Sequence, residues 1–140
     1  FAHGKVASVG MGTGVDGVDL KLATSNLRKS AGLSECETIT PLKQNADSYS
    51  SYHLYPIRIR SDAQKTQRQI YDALQLEGIG VNLHYIPVYR QPYYEDMGFK
   101  MGYCPEAEQY YREALSIPMY SKMLTSEHSV VITILQDLLS

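Results

Sequence analysis

Gly78-Ile79-Gly80-Val81-Asn82-Leu83-His84-Tyr85-Ile86-Pro87 is the stretch on which the fold turns. Glycine opens it and proline closes it. Between them Val81, Leu83 and Tyr85 alternate with polar neighbours, which predicts a strand carrying these three side chains on one face. Immediately upstream, Ala63, Thr66, Ile70 and Leu74 recur at helical spacing behind Ser61-Asp62, which offers an N-cap, and Gly78 is the expected stop.

Further toward the N-terminus, Tyr52-His53-Leu54-Tyr55-Pro56-Ile57-Arg58-Ile59-Arg60 alternates in its second half. Ile57 and Ile59 face one way and Arg58 and Arg60 the other, the mark of a strand with one buried face. Pro56 has no N–H to give a ladder, which puts this strand at a sheet edge or a bulge at the proline. On the other side, residues 89–98 read as a loop with a short helix, continued by Lys100-Met101-Gly102. Cys104-Pro105 opens a further helix with proline at its first position, and Ala107, Tyr111 and Ala114 mark its inner face. Ser116-Ile117-Pro118-Met119 is extended. Thr125-Ser126-Glu127 caps a terminal helix whose stripe is Val130, Val131, Ile134, Leu135 and Leu138. The order strand, helix, strand, helix, short strand, helix predicts a compact α/β (α+β) unit over residues 51–140. Residues 1–50 are rich in Gly, Ser, Thr and Lys, lack a sustained period, and form a separate N-terminal segment in this reading.

Composition narrows the function classes. The 140 residues carry a net charge of −2 with acids and bases interspersed, which argues against a nucleic-acid or membrane-surface partner, since both need a concentrated basic face. No apolar run approaches the roughly 18 residues of a membrane span. Phe1-Ala2-His3-Gly4 lacks the basic region and apolar core of a signal peptide, so none is expected there. Cys36 and Cys104 have neither CxxC spacing nor paired histidines, so two free thiols in a reducing cytoplasm are expected and no metal site. Most of the 12 tyrosines fall between Ser51 and Tyr111; an apolar ring with a polar tip suits a surface half buried against a ligand or partner.

Three segments offer chemistry. Gly12-Thr13-Gly14-Val15-Asp16-Gly17 fits GxGxxG, yet no apolar strand leads into an acid downstream, so a glycine-rich loop is favoured over a dinucleotide site. Asn82-Leu83-His84-Tyr85-Ile86-Pro87-Val88-Tyr89-Arg90-Gln91-Pro92-Tyr93-Tyr94 leaves a strand for a loop and gathers an imidazole, four phenols, a guanidinium and two amides. Such groups can hydrogen-bond the hydroxyls and phosphates of a nucleotide-sugar, whereas a packed core histidine with packing tyrosines is the alternative. Cys104, at a helix N-terminus without a neighbouring base, is expected to cap the helix rather than react.

Ser51-Tyr52-His53-Leu54-Tyr55, the run from Gly78 through Tyr89, Cys104-Pro105-Glu106-Ala107-Glu108 and Leu115-Ser116-Ile117-Pro118-Met119-Tyr120 together resemble the C-terminal blocks of the DegT, DnrJ, EryC1 and StrS family of sugar aminotransferases. The similarity is greatest to the pseudaminic-acid branch, which aminates a UDP-linked 4-keto-6-deoxy sugar. The resemblance implies the small C-terminal domain of a fold-type-I aminotransferase, a short, mainly antiparallel sheet with helices packed on it, in a cytoplasmic homo-oligomer. It implies pyridoxal phosphate as the cofactor of the full-length family, held by a large-domain lysine that no segment of this chain resembles. This chain is therefore expected to bind no cofactor and to be inactive alone. Substrate contacts are expected from His84, Tyr85 and Tyr89, with Arg90 and Gln91 beside them. A non-catalytic binding or oligomerisation module is the alternative.

Overall fold

The computed structural model describes residues 37–41, 45–48, 54–60, 62–120 and 123–140. It contains strands β1 (Ile39–Pro41), β2 (Tyr55–Ile59), β3 (Asn82–Leu83) and β4 (Ala114–Ile117). The helices are α1 (Gln67–Leu76), α2 (Pro92–Asp96), α3 (Pro105–Glu113) and α4 (Thr125–Leu139), with a 3₁₀ turn at Val88–Arg90. The strand order is β1-β2-β4-β3 and every neighbouring pair is antiparallel. The mixed fold with a short antiparallel sheet is therefore the one observed. The glycine-rich run at 12–17, the thiol of Cys36, the start of the first expected strand and Ser61 lie outside the described residues.

β2 is the axis of the core. Tyr55, Ile57 and Ile59 are buried against Ile70 and Leu74 of α1 and Val131 and Leu135 of α4. Each such side chain contributes roughly 2 kcal/mol of transfer free energy. Arg58 alternates to the other face of the sheet, where α3 lies. Contrary to the edge expected from Pro56, β2 is an inner strand with β1 and β4 on either side. The proline is tolerated because the register with β1 stops at Pro41 opposite Ile57, so among the described residues Ser116 of β4 alone faces Pro56.

α1 starts later than Ser61-Asp62. Its N-cap is Thr66, whose hydroxyl accepts the Gln69 N–H at 3.3 Å while the Gln69 side chain accepts the Thr66 N–H at 2.8 Å. That reciprocal capping box satisfies two otherwise orphaned donors. Asp62 bonds Arg60 instead, at 2.6 Å. The end falls where expected. Gly78 takes φ of 76°, its N–H reaches the Gln75 carbonyl at 3.1 Å, and the Ile79 N–H reaches Leu74 at 2.9 Å. This double closure needs a left-handed residue at Gly78 and delivers Ile79 into the core.

Three other expectations change. β3 spans two residues: Val81 is buried and Leu83 partly so, but Tyr85 is 89% exposed. Past Leu83 the facing chain of β4 has just emerged from α3, so no ladder partner continues among the described residues. On α3 the buried residues are Glu108 and Glu113, whereas Tyr111 is exposed and Ala114 already belongs to β4. On α4 the buried stripe is His128, Val131, Ile132, Leu135 and Leu139, with Ile134 and Leu138 at its margin and Val130 exposed. The stripe opens on a histidine, which a purely apolar pattern overlooks. Leu124 sits at the N-cap position of α4, where the Glu127 carboxylate accepts its N–H at 2.8 Å. The same oxygen accepts the Tyr120 hydroxyl at 2.7 Å, and burial followed by that hydrogen bond pushes the Tyr120 pKa up to about 12.

Candidate functional site

The residues from His84 to Gln91 leave the end of β3 and are not held alike. His84 is half-buried, with Nε2 at 3.1 Å from Ser116 Oγ and its ring edge-on to Tyr110 at 5.4 Å. Burial lowers its pKa, favouring the neutral imidazole. Tyr85 projects into solvent. Tyr89 turns inward: its hydroxyl donates to Glu108 Oε1 at 2.6 Å and accepts the Cys104 N–H at 3.3 Å. Arg90 pairs with Glu95 at 3.2 Å. Gln91 is exposed, and its carbonyl accepts the Tyr94 and Glu95 N–H groups that open α2. His84, Tyr85 and Gln91 thus remain available, while Tyr89 and Arg90 fasten the turn that carries them. Cys104 occupies the N-cap position of α3, but its thiol caps nothing and is free.

Glu108 is the anchor of this turn. Its Oε1 accepts both the Tyr89 hydroxyl and the Gly102 N–H, each at 2.6 Å, and these bonds, Tyr89 first, hold its pKa below the usual carboxylate value. Burial and then the Glu108 hydrogen bond raise the pKa of Tyr89. A carboxyl with a depressed folded pKa adds stability above its unfolded pKa and loses it as pH falls through the folded value. Tyr89→Phe is expected to lower stability at neutral pH through the loss of a charge-assisted hydrogen bond. It should also move the Glu108 titration upward. Urea melts at neutral and acid pH, with carboxyl NMR titration, check both, and equal losses at the two pH values would count against this assignment.

A cleft of about 590 Å³ opens between the end of β2, the start of α1 and the end of α3. Ile59, Ala63 and Leu83 give it an apolar floor, and His84 stands in its wall. Arg60, Lys65, Arg68 and Arg112 also line it. Among the described residues the one carboxylate in the lining is Glu113, which is taken by Arg58 at 2.6 and 2.9 Å and by the Gln109 amide at 2.9 Å. The Gln67 amide donates to the carbonyls of Tyr111 (3.1 Å) and Ala114, tying the first turn of α1 to the end of α3. Of the residues expected to bind substrate, only His84 reaches this cleft. The arginines of the cleft do not stand out as a group in the sequence, because they come from separate segments of the chain. The one signal in the sequence is the alternation of Arg58 and Arg60 with Ile57 and Ile59.

The chain belongs to the DegT/DnrJ/EryC1/StrS aminotransferase family, whose sequence profile matches residues 23–136. It is 34% identical over 103 residues to the spore coat polysaccharide biosynthesis protein SpsC of Bacillus subtilis, covering 71% of this chain and 26% of that protein. It is 25% identical over 138 residues to the UDP-4-amino-4,6-dideoxy-N-acetyl-beta-L-altrosamine transaminase of Helicobacter pylori, covering 88% of this chain and 36% of that protein. The crystal structure of Streptomyces venezuelae DesV with a ketimine intermediate superposes with a TM-score of 0.77 at 21% identity, over 89% of this chain and 32% of DesV. The chain therefore spans about a quarter to a third of the length of these relatives.

Members of the family depend on pyridoxal phosphate. The described residues do not fit that group. Lys65 borders the cleft, yet its ammonium donates to the Leu138 carbonyl at 2.6 Å, and Lys100 is exposed at a turn. Glu113, the carboxylate in the cleft lining, is committed to Arg58. What these residues offer is positive charge and hydrogen-bonding groups, and no step is derived through the coenzyme.

Proposed function

We propose that this chain forms the substrate-covering lobe of a pyridoxal-phosphate-dependent nucleotide-sugar aminotransferase and does not turn over by itself. The observation that supports this most is the superposition on DesV, which takes in nearly all of this chain but about a third of the neighbour. In this reading the remaining two thirds supply the coenzyme and its lysine. The reaction is transfer of an amino group from glutamate to a UDP-linked 4-keto-6-deoxy sugar, serving surface polysaccharide or nonulosonic acid synthesis in the cytoplasm. The working form is a homodimer.

The role of this lobe is to bind and orient. Ser116 holds Nε2 of His84, leaving Nδ1 to meet a sugar hydroxyl from a neutral ring. Tyr85 and Gln91 supply further polar contacts. Tyr89, through Glu108, and Arg90, through Glu95, fix the turn on which they ride. A chimera tests the reading: this chain replaces the corresponding C-terminal third of the Helicobacter pylori transaminase. A chimera that folds, takes up pyridoxal phosphate and aminates its UDP-sugar is expected. One that folds and takes up the coenzyme but leaves the sugar unreacted would count against it.

One observation favours the alternative of an assembly module. Tyr85, Val88, Tyr93, Met97, Met101 and Tyr103 are all exposed within a single excursion of the chain. Two of them, Tyr93 and Tyr103, are the ends of an edge-to-face series that runs through Tyr94 and Phe99. Grouped apolar surface of this kind tends to be covered in an assembly. Light scattering across a concentration series distinguishes the cases, since a monomer at every concentration argues against self-association.

A further inference from the structure

We infer that residues 85–103 form an arm that opens from the rest of the chain as one unit, with the Glu108 carboxylate as its latch. The chain leaves the sheet at His84, whose Nε2 lies 3.1 Å from Ser116 Oγ of β4, and returns at Cys104, the N-cap residue of α3. Among the described residues, the core and the side chains packed against it pass from Leu83 straight to Leu115. No residue of the arm is more than partly buried. The arm packs on itself instead. Its rings meet in a series, Tyr89 with Tyr103 at 5.4 Å, Tyr103 with Phe99 at 4.9 Å and Phe99 with Tyr94 at 6.2 Å. Its backbone bonds are local too: the Tyr94 N–H reaches the Gln91 carbonyl at 2.9 Å, that of Phe99 reaches Tyr94 at 3.2 Å, and that of Tyr103 reaches Lys100 at 3.1 Å. A segment with its own ring contacts and local bonds, but no share in the core, is the kind that opens below the free energy of global unfolding.

The latch is a single oxygen. Among the described residues, the hydrogen bonds that leave the arm end on Glu108 and on the Cys104 backbone. Glu108 Oε1 accepts the Tyr89 hydroxyl near one end of the arm and the Gly102 N–H near the other, each at 2.6 Å. Gly102 takes φ of 89°, a conformation in which a side chain would be strained. Glu108 itself stays with the body, because α3 is tied to β2 through Glu113 and Arg58 and to α1 through the Gln67 amide. Opening therefore breaks the bonds at Glu108 and leaves the helix behind them in place.

The latch depends on charge. The groups that face Glu108 are Tyr89 and Arg90 from the 3₁₀ turn, Arg112 from one turn further along α3, at 4.0 Å, and Cys104 at the N-cap. Both donors and both arginines favour the carboxylate over the neutral acid, and hydrogen bonds to an ionised acceptor are the stronger kind. The latch is therefore whole above the ordinary glutamate pKa of about 4.3 and is lost as pH falls through the lower value of Glu108 in the closed arm. In the reading proposed above, opening would withdraw Tyr85 and Gln91 from a sugar and leave His84 beside Ser116; the inference itself does not rest on that reading.

Amide hydrogen exchange of the 15N-labelled 140-residue chain, followed by NMR and corrected for intrinsic rates, tests this. Near neutral pH the amides of Tyr94, Phe99 and Tyr103 are expected to share one protection factor. It should lie at least about a hundredfold below that of Ile79, a fully buried residue whose N–H is bonded to Leu74. Glu108→Gln keeps an acceptor oxygen and removes the charge. It should lower the shared protection by about tenfold and abolish its fall in acid. Tyr89→Phe, a milder change, leaves Gly102 its partner and should lower protection at Phe99 and Tyr103 as much as at Tyr94. Ile79 stays better protected than the arm in both variants, which also shows that they fold. Arm amides as well protected as Ile79 in the wild type would overturn the inference. So would arm protection that Glu108→Gln leaves unchanged, or amides of the arm that respond to Tyr89→Phe one by one.

Discussion

His128→Leu is expected to stabilise the chain by about 1–2 kcal/mol at neutral pH and to flatten its acid limb. His128 is 1% exposed on the inner face of α4, and both its ring nitrogens lack a hydrogen-bond partner among the described residues. A buried polar ring without partners forfeits its bonds to water and gains none in return. Leucine fills similar space on a stripe already made of Val131, Ile132, Leu135 and Leu139. Burial lowers the His128 pKa, a shift only partly offset by the adjacent Glu127 carboxylate. With the folded pKa below the unfolded value of about 6.5, the unfolded chain binds more protons between the two, so stability falls as pH drops below about 6.5. The slope from one such histidine is at most about 1.4 kcal/mol per pH unit. His84, shifted the same way by burial, adds its own share. Denaturant midpoints for wild type and His128→Leu across the range of about pH 5–8 check this. A variant less stable than wild type at neutral pH, with an undiminished acid slope, would show that the ring has partners after all.

Arg58→Ala is expected to cost about 3 kcal/mol. Glu113 is 6% exposed and accepts two hydrogen bonds from Arg58, at 2.6 and 2.9 Å, with Gln109 as its other donor. Removing the guanidinium strands a carboxylate between β2 and α3, and desolvation makes that expensive. The pair is an organiser more than a source of net stability. The combined change Arg58→Met with Glu113→Leu should accordingly fall within about 1 kcal/mol of wild type. Urea midpoints of the single and double variants form the cycle. A single variant costing no more than an exposed pair, about 0–1 kcal/mol, would mean that water reaches Glu113 freely.

Period and punctuation made much of the fold legible. Ile57 and Ile59 announce their strand by alternation, Gly78 its left-handed stop, and Pro105 a helix start. What escaped was what depends on partners. The three residues of β1 have no period of their own and are a strand because Ile57, Arg58 and Ile59 pair with them. Tyr85 does not continue the strand face of Val81 and Leu83 because β4 gives out opposite it, a fact about another segment entirely. Glu108, Glu113 and His128 are charged or polar residue types that a hydrophobic stripe excludes by rule, yet all three lie buried, two of them satisfied by distant donors.

The candidate site divides in the same way. The strand-end run from His84 to Gln91 could be picked out from its chemistry, but not which members face inward. Tyr89 looks as available as Tyr85 in the sequence; only Glu108, a helix away, distinguishes them. The cationic cleft was hidden because Arg60, Arg68 and Arg112 stand among acids along the chain and converge only when α1 and α3 fold onto the end of β2.

The most direct test of the division of labour proposed for this chain is a turnover assay on it alone. The purified 140 residues are incubated with pyridoxal phosphate, glutamate and a UDP-linked 4-keto-6-deoxy sugar, and 2-oxoglutarate and amino sugar are measured together. Neither product above the protein-free control is the predicted result. The two accumulating in equal amounts, catalytically in excess of the chain, would contradict it, because these 140 residues would then be performing the whole reaction by themselves.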